Sequence, residues 1–297
     1  MTDQQHPETL REQVDRNAQM RGDTVWLISP ETGEEVSFAQ AQTRIVEIAA
    51  HLCGLGLKEG ASLAIAAPNS IGSCLMFMGV VYAGFVAVPL NLVAGPAIIG
   101  YTLRHCEAEL IFVADECKEL IESAQGEEGL GLRTMRLDLE KGPVWEGSTT
   151  TVSSPFHPSS QTIGLLMYTS GTTGLPKGAV LTQYAVETNT RLLTMGSPMH
   201  LLDTRVVLPL PMYHAAAGIT FWSVITMGGS LIIHKDFDPA AVIHDMEHND
   251  VTNATLVPAM IQACLVLVPG IQDKSFPKLR SLGYRSEEHT SELQSQF

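Results

Sequence analysis

The sequence predicts an α/β fold with largely parallel β-sheets, built in two consecutive parts. Short apolar segments of strand length alternate with longer segments of helical periodicity along most of the chain. Such alternation places a helical crossover between successive strands, which makes neighbouring strands parallel. It stops in a Ser-, Thr- and Pro-rich stretch at residues 148–160 and then starts again, which indicates a linker or a long surface loop. We therefore predict a first α/β part at residues 1–155 and a second at residues 156–284.

The first part begins with two helices whose start signals can be read directly. Thr9 and Glu12 have the spacing of a capping box, and Ser37 and Gln40 show the same pattern. Turn residues 31–33 predict a hairpin between these helices. The predicted elements are helix 9–20, strands 25–29 and 34–37, a helix from Ser37 to the glycines at 54 and 56, strand 62–66, helix 71–82, strand 85–88, helix 96–106 and strand 110–114. For the acidic stretch 116–146 we predict a solvated helix and a surface connection.

The second part repeats the alternation, with one irregular loop near its start. Strand 162–168 leads into a segment rich in glycine and threonine, and a short strand at 179–181 follows it. The remaining predicted elements are helix 183–193, strand 206–208, helix 215–227, strand 230–234, helix 239–249, strand 254–257 and helix 259–268.

Composition and charge exclude several classes of protein. The chain has 297 residues, of which 45% are apolar and 17% charged, so it can bury a large core and is not predicted to be disordered. Its formal charge of −14, with no local basic patch, argues against nucleic-acid and anionic-lipid partners. The five cysteines form no Cys-x-x-Cys pair, which favours neither a disulfide framework nor a zinc site. With no signal-peptide pattern in residues 1–7, a reducing cytoplasm is the predicted location.

Two long stretches without charged residues raise the alternative of a membrane protein. Residues 61–103 and 206–234 contain no Asp, Glu, Lys or Arg. A spanning helix needs ~20 mainly apolar residues, and the best candidate, 74–90, is shorter and contains Gly79 and Gly84. We therefore predict buried helices and strands that other elements cover, and no integral membrane insertion.

The segment from Tyr168 to Gly178 is the strongest candidate for a functional site. It reads Tyr-Thr-Ser-Gly-Thr-Thr-Gly-Leu-Pro-Lys-Gly. Its glycines allow tight turns and close approach to a ligand, and its hydroxyl and N–H groups can donate hydrogen bonds to phosphate oxygens. Lys177 is the only Lys or Arg between Lys141 and Arg191, so a bound anion would meet one cation in a neutral surrounding.

Two other interpretations of this loop compete with phosphate binding. Gly- and Ser-rich tracts are commonly flexible linkers, but the apolar strands on both sides make a linker less favoured. A Walker loop needs Gly-x-x-x-x-Gly-Lys followed by Ser or Thr. Here Leu175 and Pro176 separate Gly174 from Lys177, and Gly178 follows, so the Walker spacing is not met.

These eleven residues resemble the phosphate-loop signature of the adenylate-forming superfamily, which includes acyl-CoA synthetases, peptide-synthetase adenylation domains and firefly-type luciferases. Further segments are similar to the N-terminal half of that family: Leu57-Lys58-Glu59-Gly60, Pro68-Asn69 and residues 83–91. The resemblance covers roughly residues 9–284. It implies two doubly wound, largely parallel α/β subdomains of the family's large N-terminal domain, here truncated.

The resemblance implies an ATP-dependent acid–thiol ligase. A small-molecule carboxylate would be activated as an acyl-adenylate and then passed to a thiol, commonly CoA, with Mg2+ as the metal. The phosphate loop would hold ATP through Thr169, Ser170, Gly171, Thr172, Thr173, Gly174 and Lys177, and Thr169 would lie near the metal. Such chemistry depends on stabilising charge at the α-phosphate.

His214 lies in a second segment, Leu208 to Gly218, that carries a Pro-x-Tyr-His run. A single histidine is more often structural, for example at a helix start. The acyl-CoA synthetases have a similar run, and the resemblance implies that His214 lies beside the carboxylate and the α-phosphate. Adenylation domains of peptide synthetases usually lack it, which favours the CoA branch.

The sequence departs from the family pattern at two places. Gln183 stands where many members have His, a difference we expect on a helix surface. After Tyr284 the family's Gly-Gly-Ala-Pro-like turn is replaced by residues 285–297, which resemble translated sequencing adapter. We expect a non-native tail there and an N-terminal fragment without turnover.

Two further classes of function remain as alternatives. The chain could be a nucleotide-binding or regulatory module that uses only the phosphate loop, and a membrane-embedded protein is the weaker third reading. Carboxylate-dependent pyrophosphate release separates a ligase from a binding module.

Overall fold

Two largely parallel β-sheets organise the chain. The computed structural model describes residues 8–145, 154–169, 174–196 and 203–284. The strands are β1 (Val25–Ile28), β2 (Glu35–Ser37), β3 (Ser62–Ala66), β4 (Val86–Pro89), β5 (Ala108–Val113), β6 (Arg133–Asp138), β7 (Gly142–Pro143), β8 (Ile163–Thr169), β9 (Lys177–Thr182), β10 (Arg205–Leu208), β11 (Ser230–Ile233), β12 (Asn253–Leu256) and β13 (Ser281–Tyr284). The helices are α1 (Leu10–Arg21), α2 (Phe38–Gly54), α3 (Ile71–Ala83), α4 (Pro96–His105), α5 (Lys118–Glu128), α6 (Gln183–Met195), α7 (Ala215–Met227), α8 (Pro239–His248) and α9 (Pro258–Leu267).

Within these ranges the strands form one seven-stranded and one six-stranded sheet. The orders are β7-β6-β5-β3-β4-β8-β9 and β13-β12-β10-β11-β1-β2. Interior neighbours are parallel, whereas the edge pairs β6–β7, β8–β9 and β1–β2 are antiparallel. The predicted α/β class with largely parallel sheets is confirmed.

Sheet membership does not follow the order of the chain. Strands β8 and β9 complete the seven-stranded sheet, and β1 and β2 pair onto the edge of the six-stranded sheet through β11. Each sheet therefore combines strands from both sides of residue 155. The division into parts at 1–155 and 156–284 stays a prediction about domains, and residues 285–297 lie outside the described residues.

The helices and sheets are arranged in five layers. Helices α1, α2, α3, α6 and α7 share the largest apolar core with one face of each sheet. On the outer face of the seven-stranded sheet, α4 and α5 enclose a second core. Helices α8 and α9 pack on the outer face of the six-stranded sheet. The central strands are covered on both faces, which explains why they are apolar throughout.

Helix α3 explains the longest uncharged stretch of the sequence. All 13 of its residues are buried, because it lies between the two sheets. Helix α7 occupies the same middle layer and is largely apolar as well. Among the helices in the described ranges, none is long and apolar enough to cross a membrane.

The local start signals are confirmed. Both predicted capping boxes are present, Thr9 with Glu12 and Ser37 with Gln40. Each box satisfies N–H groups in the first helical turn, which have no intrahelical acceptor. The predicted hairpin also forms between β1 and β2, and Gly33 adopts a φ of +73° in its turn.

The acidic stretch 116–146 is more regular than predicted. It contains helix α5, as expected, but also the strands β6 and β7. In β6 only Met135 and Leu137 are buried, and arginines alternate with them. Such a half-buried strand, second from the edge of its sheet, has a largely polar sequence. The prediction of a surface connection was therefore wrong for residues 133–143.

Gln183 is buried, which corrects the expectation that it lies on a helix surface. Its side chain is 0% exposed, and its Oε1 accepts a hydrogen bond of 2.9 Å from the backbone N–H of Leu10. Leu10 is the first residue of α1, so its N–H has no partner within the helix. Gln183 thus joins the start of α6 to the start of α1.

We expect Gln183→Ala to lower the free energy of unfolding by about 1–3 kcal/mol, because the Leu10 N–H loses its acceptor in a buried position. Asn189→Ala is the matched control, since Asn189 is exposed on the same helix. Thermal and urea unfolding of both variants measures the difference. Equal stability of the two variants would contradict the role given to Gln183.

Candidate active site

The predicted phosphate loop connects the two strands of a hairpin. Strands β8 and β9 pair from Ile163 opposite Thr182 to Thr169 opposite Lys177. Both predicted flanking strands are therefore present, and each reaches further toward the loop than predicted. Thr169 and Lys177 face each other across the ladder at the base of the loop. Of the predicted binding residues, Ser170, Gly171, Thr172 and Thr173 lie outside the described residues.

The loop leaves the sheet at the carboxyl ends of parallel strands. Strand β8 pairs in parallel with β4, with Leu165 opposite Ala87. Both strands point their carboxyl ends toward the same edge. In open α/β sheets, ligands bind outside this edge. The position of the loop therefore agrees with a binding function and not with a linker.

A cleft of about 270 Å3 opens beside the loop. Its walls come from the end of β4 and the segment after it, from α4, from the hairpin and from the segment before α7. The lining residues are Pro89, Leu90, Asn91, Ala94, Ile98, Ile99, Thr102, Tyr168, Thr169, Gly174, Pro176 and Tyr213. The structure thus brings the two described ends of the phosphate loop, Thr169 and Gly174, into one cleft.

The cleft carries no formal charge of its own among the described residues that line it. Burial raises the pKa of the Tyr168 phenol and of the Tyr213 phenol above the usual value, so both remain protonated at neutral pH. Lys177 is exposed and directly follows Pro176 of the lining. An anion in the cleft would therefore meet hydroxyl and amide donors and one cation at the rim.

Gly174 provides a backbone shape that other residues rarely adopt. Its φ is +124°, and among the described residues no atom lies within 4 Å of a Cβ placed on it. The requirement at this position is therefore conformational and not steric.

His214 stands at the start of α7, next to the cleft. It is the N-cap residue of that helix, its backbone N–H donates to the carbonyl of Pro211, and its side chain is exposed. Its ring lies 4.7 Å, centroid to centroid, from the ring of Tyr213, which lines the cleft. His214 is therefore both a helix-start residue and a neighbour of the cleft, and its role beside a carboxylate and an α-phosphate stays a prediction.

Two residues of this site were not predicted from sequence. Tyr213 forms a wall of the cleft, and the Pro-x-Tyr-His run was the signal that contained it. His105, at the end of α4, places its Nδ1 2.6 Å from the hydroxyl of Tyr168, the first residue of the loop signature. This contact ties α4 to the base of the loop, and no local sequence pattern indicates it.

The residues present fit the expected metal only in part. Thr169 contributes one hydroxyl, and the described residues contain no group of three or more His, Cys, Asp or Glu side chains that could hold a metal ion. Protein Mg2+ sites typically use one or two carboxylates together with substrate phosphates and water. Thr169 would therefore add one ligand to a metal held mainly by phosphate oxygens.

A glycine- and hydroxyl-rich loop at the carboxyl edge of a parallel sheet is typical of α/β proteins that bind phosphate groups. The chain belongs to the AMP-binding enzyme family, whose profile matches residues 14–297. Sulfoacetate–CoA ligase of Cupriavidus necator is 30% identical over 244 residues, which are 80% of this chain and 47% of that protein. Feruloyl-CoA synthase of an Amycolatopsis species is 30% identical over 253 residues, covering 84% and 49% of the two chains.

The fold agrees with solved structures of the same architecture. The N-terminal domain of FACL13 from Mycobacterium tuberculosis superposes with a TM-score of 0.81, covering 93% of this chain and 69% of that one at 24% identity. Two doubly wound α/β subdomains of such an N-terminal domain are thus confirmed as the fold. The chain spans about half the length of the curated relatives it matches.

Proposed function

We propose that this chain is the phosphate-binding half of a cytoplasmic ATP-dependent acid–thiol ligase of the acyl-CoA synthetase type. The enzyme would convert a small-molecule carboxylate to an acyl-adenylate and then to a CoA thioester. The observation that supports this most directly is the Thr169–Lys177 hairpin base at the mouth of an uncharged cleft. The two relatives described above carry names of enzymes that join a carboxylate to CoA, and these names favour a ligase over a binding module.

Each site residue has a physical role in this proposal. The loop from Ser170 to Gly174 would donate hydrogen bonds to the phosphates of ATP, and Lys177 would offset their charge. Thr169 would direct its hydroxyl toward Mg2+, which when bound neutralises phosphate charge. His214 would hold the reacting carboxylate near the α-phosphate and stabilise the charge that develops there.

Pyrophosphate release tests the proposal. A polypeptide of the length of the relatives should release pyrophosphate from ATP only when a suitable carboxylate from a panel of acids is added. For the 297-residue chain alone we expect no release above a heat-killed control, because it spans about half of those relatives. ATP hydrolysis that no carboxylate stimulates would favour a nucleotide-binding module instead.

We call a polypeptide of the relatives' length that shows ligase activity the active enzyme. In the active enzyme, we expect Lys177→Ala to lower the rate at which ATP and the carboxylate form the acyl-adenylate. A hydrogen bond to a charged group contributes about 1.5–3 kcal/mol, which corresponds to about tenfold to a hundredfold in kcat/KM for ATP. Lys141→Ala is the control, because Lys141 is also exposed but lies in the turn between β6 and β7. Adenylation rates at sub-saturating ATP that match those of the control would remove Lys177 from the site.

A further inference from the structure

We propose that Asn69 is a positioning residue for the reaction site: its side chain holds the segment that carries Tyr213 and His214 in place against the cleft. This inference rests on the proposed function for its consequence in catalysis. The geometry that supports it belongs to the chain itself.

Both polar atoms of the Asn69 amide bind one short backbone segment. Its Nδ2 donates to the carbonyl of Leu210, and its Oδ1 accepts from the N–H of Met212, each at 2.8 Å. The side chain is 3% exposed. Leu210 and Met212 are also buried, so water does not replace these two bonds without opening the core.

The segment from Leu210 to Met212 needs a side-chain hydrogen-bond partner, because it cannot continue the sheet as a strand. Strand β10 ends at Leu208, and Pro209 and Pro211 have no N–H to donate to a neighbouring strand. The chain bends at Leu210 and turns at Met212 and Tyr213, so the carbonyl of Leu210 and the N–H of Met212 are not part of a strand. The planar amide of Asn69 offers one donor and one acceptor to these two groups.

Asn69 joins the two sheets at the point where the site is built. It follows β3 of the seven-stranded sheet, whereas Leu210 and Met212 follow β10 of the six-stranded sheet. One wall of the cleft, with Thr169, belongs to the first sheet, and Tyr213 belongs to the segment after β10. The two hydrogen bonds of Asn69 therefore set the distance between these walls and place His214, which is next to Tyr213.

A small cavity lies beside the two hydrogen bonds of Asn69, which we call the clamp. It gives the segment that carries Met212 and Tyr213 room to move when these bonds are lost. A cavity of about 20 Å3 borders Met212 and Tyr213 on one side and Ser73 and Phe77 of α3 on the other. Without the amide, Met212 and Tyr213 can shift toward this cavity. A displacement of this kind changes the site without unfolding the core.

Asn69→Ala and Asn69→Asp test the inference, and Asn17→Ala is the matched control. Asn17 is also 3% exposed and donates from Nδ2 to a backbone carbonyl, that of Ile225. It therefore resembles Asn69 in burial and bonding, but its partner lies near the end of α7, away from His214. The aspartate variant keeps the shape and the acceptor and removes the donor.

The first readout is the rate at which diethyl pyrocarbonate modifies each histidine of the 297-residue chain, followed by peptide mass spectrometry beside thermal unfolding. We expect Asn69→Ala and Asn17→Ala both to lower the melting temperature. Only the Asn69 variants should change the His214 rate, by threefold or more, while the rates of His51 and His248 stay unchanged. An unchanged His214 rate in a folded Asn69 variant would overturn the inference.

Hydrogen exchange of the unsubstituted chain keeps the inference testable if neither Asn69 variant folds. The Met212 N–H should exchange at least a hundredfold more slowly than an unprotected amide. Exchange at the unprotected rate would show that its hydrogen bond to Asn69 does not form and would overturn the inference. In the active enzyme, Asn69→Ala should lower the single-turnover adenylation rate about tenfold with ATP affinity unchanged, because Lys177 is untouched. An absence of ligase activity in a polypeptide of the relatives' length would refute the proposed function alone, since the chemical modification and exchange readouts need no turnover.

Discussion

Gly79→Leu is expected to reduce the stability of the fold more than the other substitutions considered. Gly79 lies in α3, where that helix packs against α2 between the two sheets. A Cβ built on Gly79 would lie 2.3 Å from Cγ2 and 2.8 Å from Cβ of Ile48. The Cβ of Ile48 cannot move by a change of rotamer, so the helices must separate. Overpacking of this kind costs about 1–3 kcal/mol for small additions, and we expect about 3 kcal/mol or more for leucine.

Substitution of a second glycine provides a control, because its expected effect on stability has the opposite sign. Gly126 lies in the exposed face of α5 and has no atom within 4 Å of a built Cβ. Gly126→Ala should therefore stabilise the protein by about 0.5–1 kcal/mol, the usual difference between the two residues within a helix. Gly79→Ala, the same chemical change, should destabilise it.

Thermal and denaturant unfolding of these variants provides the measurement. A loss of about 3 kcal/mol corresponds to a lower melting temperature by about 6 °C or more for a chain of this size. Adding Ile48→Ala to Gly79→Leu should restore part of the loss, because the closest contacting atom is removed. A Gly79→Leu variant as stable as the unsubstituted protein would show that α2 and α3 are not in close contact.

Secondary structure was predictable where a local signal marks it. The capping boxes of α1 and α2 locate their starts, and the uncharged run at 61–103 contains β3, α3, β4 and most of α4 as separate elements. Strand β6 was missed because only Met135 and Leu137 face inward. The placement of β1 beside β11 joins residues about two hundred positions apart, and no local pattern carries that information.

The residues of the candidate site were likewise predictable only where a local motif contains them. Thr169, Gly174 and Lys177 follow from the composition of one loop. The structure pairs Thr169 with Lys177 in the hairpin and places Thr169 and Gly174 in the cleft lining. The contributions of Tyr213, His105 and Asn69 depend on contacts between distant elements. Gln183 shows the same limit, because its partner Leu10 is 173 residues away. A sequence motif therefore identifies the candidate phosphate-binding residues, whereas the contacts that support them become visible only in the fold.

His214→Ala is expected to lower acyl-adenylate formation strongly while leaving the fold nearly unchanged. The His214 side chain is exposed at the start of α7, so its removal leaves no buried cavity and the melting temperature should stay near that of the unsubstituted protein. In the proposed mechanism, His214 acts on charge that develops in the transition state. Loss of one such stabilising group lowers the rate by about a hundredfold or more.

The two effects are separated by measuring both on one preparation of the active enzyme. Single-turnover adenylation reports the chemical step, and thermal unfolding reports stability. His51→Ala is the control, because His51 is a half-buried histidine on α2 that stacks on Trp145 and does not line the cleft. It should leave the adenylation rate unchanged. A large loss of melting temperature in His214→Ala, together with an unaltered single-turnover rate, would instead make His214 a structural residue and leave the cleft's chemistry to Lys177 and the loop.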